Sequence, residues 1–349
     1  MNYLYALGAA ALFGASTPVS KTMLAGVGPF MLASLCYFGS GLGLAIWKLA
    51  ALASHSPGSD GEPALTLKDW PYIAGFILAG GVAAPVLLFK GLLLTTSSGA
   101  SIMLNLELIF TSLIAWLVFK EHTGGRFWAA AAFIAAGAAL LSVDFSNFTL
   151  SFEKGSVLVA LAAFFWGVDN NLTARLSVKD PVAIALIKGL AGGTINLALA
   201  FWAGEVVWAP ALWLPGVALG AVSYGASLVL FIRAMRGLGA ARSGAVLGVY
   251  PFFGAVLSVI FLKEPLTWPL AAAFFFMALG FYLVVSERHG HEHGHEALWH
   301  AHQHVHDDLH HGHRHGEEVM DGPHAHAHVH APERHSHEHL PDSHHRHIH

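Results

Sequence analysis

The stretch TTSSGASIMLNLELIFTSLIAWLVFKE, from Thr95 to Glu121, decides the fold. Small and hydroxylated residues begin it, an apolar run fills it, and Lys120-Glu121 ends it. A helix rises about 1.5 Å per residue, so about 20 apolar residues cross the hydrocarbon core of a bilayer. Glu107 lies near the midpoint of this run, where a charge costs a few kcal/mol, and it is therefore a candidate functional residue.

The composition of the whole chain is that of a membrane protein. Of its 349 residues, 55% are hydrophobic and only 11% are charged, whereas a soluble domain carries about 25% charged residues. Without the basic segment of a secretory signal, the N-terminal span is expected to remain in the mature protein. We expect an all-α integral membrane protein with ten transmembrane helices, near residues 3–20, 29–52, 70–89, 97–119, 127–143, 155–174, 181–203, 212–234, 242–262 and 267–286.

The spans repeat in two sets of five. The stretch from Leu238 to Glu264 matches the first one at an offset of 143, and its Lys263-Glu264 corresponds to the earlier Lys-Glu pair. The sequence FGASTPVSK around Gly14 matches WGVDNNLTAR around Gly167 at an offset of 153. An odd number of spans per unit gives the halves opposite orientations, and such inverted repeats in transporters bind substrate near the midplane.

The cations predict an orientation. With the N-terminus in the cytoplasm, ten cations lie near the inner face and four near the outer face. The positive-inside rule therefore favours two cytoplasmic termini in a bacterial inner (plasma) membrane. The inner cations are Lys48, Lys68, Lys120, Arg126, Arg175, Lys179, Arg233, Arg236, Arg242 and Arg288. The outer cations are Lys21, Lys90, Lys154 and Lys263.

The layout resembles the EamA-type transporters of the drug/metabolite transporter superfamily. The resemblance rests on the tandem five-span halves, on LFGASTPVSK at the start, on the small-residue run into span 4, and on the Lys-Glu that ends the fourth span of each half. It implies five-helix repeats over residues 1–143 and 154–286, and export or exchange of small organic solutes without ATP. The His-rich tail, 287–349, is not a general family feature.

Charged residues inside the spans are the first site candidates. For Glu107, which has no cation at its depth, we weigh a neutral hydrogen-bonded carboxyl against a residue that binds a proton or a substrate amine. Asp169 in span 6 and Lys188 in span 7 lie at similar depths on antiparallel neighbours, so they are predicted to meet. The pair either locks the two helices or opens when substrate or a proton arrives.

Uncharged polar residues extend the candidate site. Asn105, Asn170 and Asn171 are predicted to line the substrate or coupling site together with the charged residues. Asn196 is interpreted instead as a hydrogen bond between helices, worth about 1 kcal/mol. Lys21, at the end of span 1, is expected to reach the outer interface, with binding of a substrate carboxylate as the alternative.

The tail contains every histidine except His55 and His122. Few apolar residues and many charges predict disorder without metal. No cofactor is required, but imidazoles bind Zn, Ni or Co; the alternatives are charge sensing near a pH of about 6.5 and a solvated tail without function. The predicted ligands are His289, His291, His293, His295, His300, His302, His304, His306, His324, His326, His328 and His330.

Three functions remain after these observations. The first is a secondary transporter of amino acids or metabolites with a metal-binding tail, and the second is a divalent-metal exporter (nickel, cobalt or zinc) whose tail captures cytosolic ions. The third is a membrane-anchored metal buffer. No nucleophile–base set or phosphate-binding loop indicates an enzyme, and no basic aromatic patch indicates nucleic acid. The expected partners are membrane lipid, a small-molecule substrate, divalent metal ions and, as an option, a second copy in a homodimer.

Overall fold

The computed structural model describes most of the chain. The described residues are 2–53, 65–119, 125–141, 143–144, 149–150, 153–176, 179–238 and 246–286, and in the tail 289–295, 298–304, 324–330 and 333–339. Up to Ser286 they are helical except for short connections and one two-stranded pair, Val143–Asp144 (β1) with Thr149–Leu150 (β2). Lys120-Glu121 lies outside them.

The first half of the described chain contains eight α-helices. These are α1 (Asn2–Gly14), α2 (Ser16–Met23), α3 (Pro29–Ala53), α4 (Trp70–Phe76), α5 (Ala84–Leu94), α6 (Ser97–Met103), α7 (Leu106–Phe119) and α8 (Gly125–Leu141). A short 3-10 turn, Leu67–Asp69, precedes α4, and its Thr66 and Asp69 form a capping box. A π-helix, Ile77–Ala83, joins α4 to α5 without a break.

The second half contains six more α-helices among its described residues. These are α9 (Lys154–Ala174), α10 (Pro181–Trp202), α11 (Pro210–Leu219), α12 (Ser227–Leu238), α13 (Tyr250–Phe261) and α14 (Trp268–Val285). Asp180 begins α10, because its carboxylate accepts the amides of Val182 and Ala183 at 2.8 and 3.1 Å. A second π-helix, Gly220–Ala226, joins α11 to α12.

The long helices have the length and composition of membrane spans. Six stretches of the described chain qualify: Pro29–Ala50, Leu67–Leu94, Ser97–Val118, Lys154–Ala174, Val182–Trp202 and Pro210–Phe231. Three shorter apolar helices lie at Trp128–Leu141, Tyr250–Phe261 and Trp268–Leu283. The protein is therefore a mostly helical, multi-pass membrane protein, and the count of ten spans stays a prediction.

The two π-helices lie 143 residues apart, the offset at which the sequence repeats. Each contains glycines that allow a neighbouring helix to approach closely. In the first, a Cβ on Gly80 would lie 2.2 Å from Cγ of Asp169. In the second, a Cβ on Gly220 would lie 2.0 Å from the Cys36 carbonyl oxygen. The first π-helix therefore lies where α9 approaches closely, and the second lies where α3 approaches closely.

The first helix of each half packs on a helix of the other half. A Cβ on Gly14 in α1 would lie 2.4 Å from the Tyr250 carbonyl oxygen and 2.8 Å from Cβ of Phe253 in α13. A Cβ on Gly167 in α9 would lie 2.9 Å from Cβ of Phe110 in α7. Small residues allow such close helix crossings in membranes, and the residues they touch, Phe110 and Phe253, are again 143 apart.

Polar contacts at the ends of the spans define two faces. On one face, called the Lys21 face, Lys21 donates to the carbonyls of Leu92 and Thr95 at the end of α5. Glu205, after α10, accepts the amide of Phe30 at the start of α3 on this face, at 2.7 Å. On the opposite face, the Lys48 face, two ion pairs join the ends of other spans: Lys48–Asp180 at 3.0 Å and Lys179–Asp69 at 3.5 Å.

The described backbone of the tail forms two antiparallel ladders. His289–His295 (β3) pairs with Glu333–His339 (β6), and Leu298–His304 (β4) pairs with His324–His330 (β5). Each ladder sets histidine opposite histidine at three positions. This differs from the predicted lack of regular structure, and the reason lies in the alternation of histidine with other residues, which has the two-residue period of a strand.

Candidate functional site

A carboxylate with two hydrogen-bond donors forms the centre of the candidate site. Glu107 lies in the first turn of α7, after a turn at Leu104–Asn105 that separates α6 from α7. Tyr250 donates its hydroxyl to Oε2 of Glu107 at 2.7 Å. Asn170 donates its Nδ2 to Oε1 at 2.8 Å. Both carboxylate oxygens therefore have partners, and both partners come from the second half of the chain.

The Glu107–Tyr250 contact joins two residues that correspond in the repeat. Tyr250 follows Glu107 by 143 residues, the offset that also relates the two π-helices. Tyr250 begins α13 and is buried, with Phe13 of α1 against its ring at 4.7 Å between centroids. Tyr250 was not among the predicted site residues because an aromatic residue in an apolar span carries no charge signal, although the repeat offset of 143 residues leads from Glu107 to it.

Asn170 and Asn171 hold α9 against α7 in different ways. The amide of the buried Asn171 donates to the carbonyls of Thr111 and Gly167 at 2.9 and 2.8 Å. The amide of Asn170 also reaches the Thr111 hydroxyl at 3.2 Å, but this residue is exposed. Asn171 therefore fixes the helices, while the Asn170–Glu107 contact is reachable from the protein surface.

Asp169 and Lys188 form the predicted ion pair beside this cluster. The Lys188 amine donates to Oδ2 of Asp169, and the Thr173 hydroxyl lies 3.4 Å from Oδ1. The Asp169 side chain is 5% exposed and that of Lys188 is 21% exposed. The Lys188 amine also lies 5.8 Å from the centre of the Phe76 ring, within the range of a cation–π contact.

The two polar clusters differ in how charge is compensated. Asp169 has an opposite charge in direct contact, which offsets much of the cost of burying it. The donors to Glu107 are neutral, so no ion pair compensates a charge on this carboxylate. Asp169 and Asn170 are consecutive on α9, so both clusters include a side chain of this helix.

Three other predicted polar residues bond elsewhere. The buried Asn105 donates to the Ile102 carbonyl of its own span at 2.8 Å. Asn196 donates to the carbonyls of Gly81 and Gly192, both at 2.8 Å, and so joins α10 to the first π-helix as the sequence predicted. The Lys21 amine bonds to carbonyls at the end of α5, an arrangement that the sequence did not suggest.

Metal ligands do not cluster in the part of the chain that the structure describes. No group of three or more His, Cys, Asp or Glu side chains is placed there to hold an ion. The twelve histidines predicted as ligands are in the tail, and their side chains lie outside the described part. Metal binding by the tail therefore stays a prediction.

The chain matches one family over nearly all of its helical part. The model of the EamA-like transporter family matches twice, over residues 1–143 and 153–286. The two matches divide the candidate site, since Glu107 lies in the first, whereas Asn170, Lys188 and Tyr250 lie in the second.

A relative and a solved structure extend this similarity. The chain is 30% identical over 274 residues to an uncharacterized transporter of Methanothermobacter thermautotrophicus, which covers 76% of this chain and 80% of the relative. A crystal structure of a protein that is 20% identical superposes with a TM-score of 0.59, over 81% of this chain and 94% of that one. The second similarity concerns the fold alone.

Proposed function

Because the chain belongs to the EamA-like transporter family, we propose that this membrane transporter is a secondary exporter of small organic solutes, either amino acids or metabolites. The observation that carries the proposal is the carboxylate of Glu107, held by neutral donors of the second half and reachable beside Asn170. Intramembrane acids with this kind of partner serve proton coupling and substrate binding.

We propose that the two halves are inverted repeats of five spans each. Two pairs of features at the offset of 143 support the arrangement: the π-helices, and the residues Glu107 and Tyr250. A substrate site where the halves meet is the general pattern for such transporters. The predicted positive-inside orientation makes the Lys21 face the outer face and the Lys48 face the cytoplasmic face of a bacterial inner membrane.

The residues around Glu107 and the Asp169–Lys188 pair have different proposed roles. Glu107 binds a proton or the amine of the solute, and Asn170 and Tyr250 orient its carboxylate. The Asp169–Lys188 pair opens when the solute arrives, so that Lys188 binds a solute carboxylate while Asp169 stays next to Thr173. Asn105 and Asn171, which bond to backbone carbonyls, shape the helices around the site.

Counterflow in proteoliposomes tests the proposal. Vesicles that contain the purified protein are loaded with one of the 20 common amino acids or with a mixture of metabolite amines, and uptake of the labelled solute is followed. We expect counterflow for at least one solute, and we expect Glu107→Gln to abolish it. The control is Glu153→Gln, a change at an exposed carboxylate before α9. Counterflow that Glu107→Gln leaves intact contradicts binding of a solute amine by this carboxylate.

We also propose that the tail binds divalent metal. Its support is the register of the two ladders, which sets histidine opposite histidine at three positions in each. The tail contains 23 of the 25 histidines of the chain, and imidazole is a ligand for zinc, nickel and cobalt. Export of that metal through the spans is less favoured, because no group of three or more His, Cys, Asp or Glu side chains in the described spans is placed to hold an ion.

A further inference from the structure

A second carboxylate, Glu264, joins the two halves at the Lys21 face. Its Oε1 accepts the amide of Ser97 at 2.7 Å and its Oε2 accepts the amide of Ser98 at 2.8 Å. The residue before it, Lys263, has a φ of 53°, a left-handed conformation that non-glycine residues rarely adopt. A strained turn thus directs a carboxylate of the second half onto the first turn of α6.

A row of buried hydroxyls extends inward from Glu264. Ser258 on α13 donates to Oγ of Ser97 on α6 at 2.9 Å, and Ser101 follows Ser97 by one helical turn. On α13, Ser258 follows Gly254 and Tyr250 at the same four-residue spacing, which places them on one face. The row of small and hydroxylated residues between the two helices therefore leads from Glu264 towards the Glu107–Tyr250 contact.

Two of the neighbouring hydroxyls lack a hydrogen-bond partner in the described structure. Ser101 on α6 and Ser20 on α2 are both fully buried, and neither oxygen has a donor or acceptor in range. Leaving a buried hydroxyl unpaired is unfavourable, and six serines and one threonine of α2, α6 and α13 are nearly inaccessible. They are Ser16, Thr17, Ser20, Ser97, Ser98, Ser101 and Ser258. Hydroxyls with no partner when the helices are closed gain one from water or solute when the helices separate.

We propose that the solute leaves the Glu107 site between α2, α6 and α13, along these hydroxyls, and that Glu264 closes this exit. The inference rests on the proposed transport function. In the closed arrangement, Glu264 bonds to the first amides of α6 and Lys21 bonds to the end of α5. Release of the Glu264 carboxylate from Ser97 and Ser98 separates α6 from α13 and exposes Ser101 to the Lys21 face.

Cysteine labelling tests the exit without any substrate. The only native cysteine, Cys36, is buried and is replaced by alanine. Ser101→Cys is then labelled in proteoliposomes with a membrane-impermeant maleimide, with Glu264 intact or as Glu264→Ala. We expect Glu264→Ala to raise the labelling rate about tenfold or more, because hydrogen bonds to a charged group stabilise the closed form by at least that factor.

Two controls make the result decisive. Glu205→Ala removes another carboxylate that caps a helix on the same face, that of α3, and is expected to leave the labelling of Ser101→Cys unchanged. Ser34→Cys, buried and bonded to the Gly193 carbonyl between α3 and α10, should stay unlabelled in Glu264→Ala. Equal labelling of Ser34→Cys, or no rise at Ser101→Cys, overturns the proposal. Counterflow is measured separately, so failure of the exit and failure of the transport function are distinguishable.

Discussion

At the scale of single residues, the site contains an acid and a phenol at corresponding positions of the two halves. The Glu107 carboxylate and the Tyr250 hydroxyl bond directly, and each lies on the fourth predicted span of its half. Were both residues acids, two carboxylates would compete for the same buried place; were both tyrosines, no acid would be left to titrate. Because the two halves differ at this position, the pair contains one acid, Glu107, and one hydroxyl, that of Tyr250, which donates to it.

Removing only the Tyr250 hydroxyl tests this pairing. Tyr250→Phe keeps the ring against Phe13 but deletes the donor to Glu107. A hydrogen bond to a charged group is worth about 1.5–3 kcal/mol, so we expect counterflow to fall by about tenfold or more. Tyr282→Phe, at a residue that is 65% exposed on α14, is the matched control. Equal counterflow in the two variants would rule out a role for the Tyr250 hydroxyl.

The Lys48–Asp180 pair predicts a small pH effect on stability. Burial raises the pKa of Asp180, but the Lys48 hydrogen bond and charge and the amides of Val182 and Ala183 outweigh it, so the net pKa is below its usual value. A carboxyl with a lowered pKa in the folded state stabilises the protein above its unfolded pKa, about 3.9, and loses this contribution as the pH falls further. The pair lies partly in solvent, with the Lys48 side chain 43% exposed, so the effect stays below about 1 kcal/mol.

Asp180→Asn isolates this charge, because asparagine also caps helices well. We expect the variant to melt slightly below the parent protein in detergent at pH 6, and the difference to vanish as the pH falls below about 4. Thermal unfolding followed by intrinsic fluorescence measures it. A difference that grows towards low pH would contradict the assignment of the pair.

The charged residues of the candidate site and Asn170 were predictable from the sequence, whereas Tyr250 was not. Glu107, Asp169 and Lys188 were visible because a charge inside an apolar run has few explanations. The depth of Asp169 and Lys188 on neighbouring spans was enough to predict their contact. Asn105 shows the limit of this reasoning. A polar residue near an acid in sequence bonded instead to a carbonyl of its own helix, and only coordinates distinguish these outcomes.

At the scale of elements, the π-helices are the feature that sequence patterns could not predict. A π-helix adds one residue to a helical turn, and in an evenly apolar span this shift changes no visible periodicity. Its cause is tertiary. Side chains of other helices bond to the carbonyls of the first π-helix, with Tyr37 donating to Gly80 and Asn196 donating to Gly81. These bonds satisfy backbone groups that lipid would leave unpaired.

Gly80→Ala tests whether the first π-helix supports the site. Its new Cβ would lie 2.2 Å from Cγ of Asp169, so either the π-helix moves or the Asp169–Lys188 pair opens. Overpacking of this kind costs about 1–3 kcal/mol, and we expect a melting temperature several degrees lower together with reduced counterflow. Gly125→Ala is the control, because a Cβ there meets nothing within 4 Å. A Gly80→Ala protein as stable and active as Gly125→Ala would show that the close approach is unimportant.

At the scale of the whole molecule, the first helix of each half packs against a helix of the other half. Gly14 of the first half lies against α13, and Gly167 of the second half lies against α7. Glu107 and Tyr250 therefore sit on helices that each bear the first helix of the other half. In the proposed inverted-repeat arrangement, a rocking motion of one half against the other would change the Glu107–Tyr250 contact. The repeat was readable from the sequence, whereas this interlocking was not.

Metal sequestration by the tail and metal export through the spans can be distinguished by experiment. A metal-sensitive bacterial host expresses the full chain, a truncation after Arg288 or the Glu107→Gln variant at matched levels. Its growth is measured on graded nickel, cobalt and zinc. If the tail sequesters metal while the spans export organic solutes, the full chain and Glu107→Gln protect the host equally, and the truncation does not protect it. The reason is that the tail contains 23 of the 25 histidines, and the described spans contain no cluster of metal ligands. Protection that survives truncation but is lost with Glu107→Gln would mean that metal passes through the spans, and the organic-solute proposal would then be wrong.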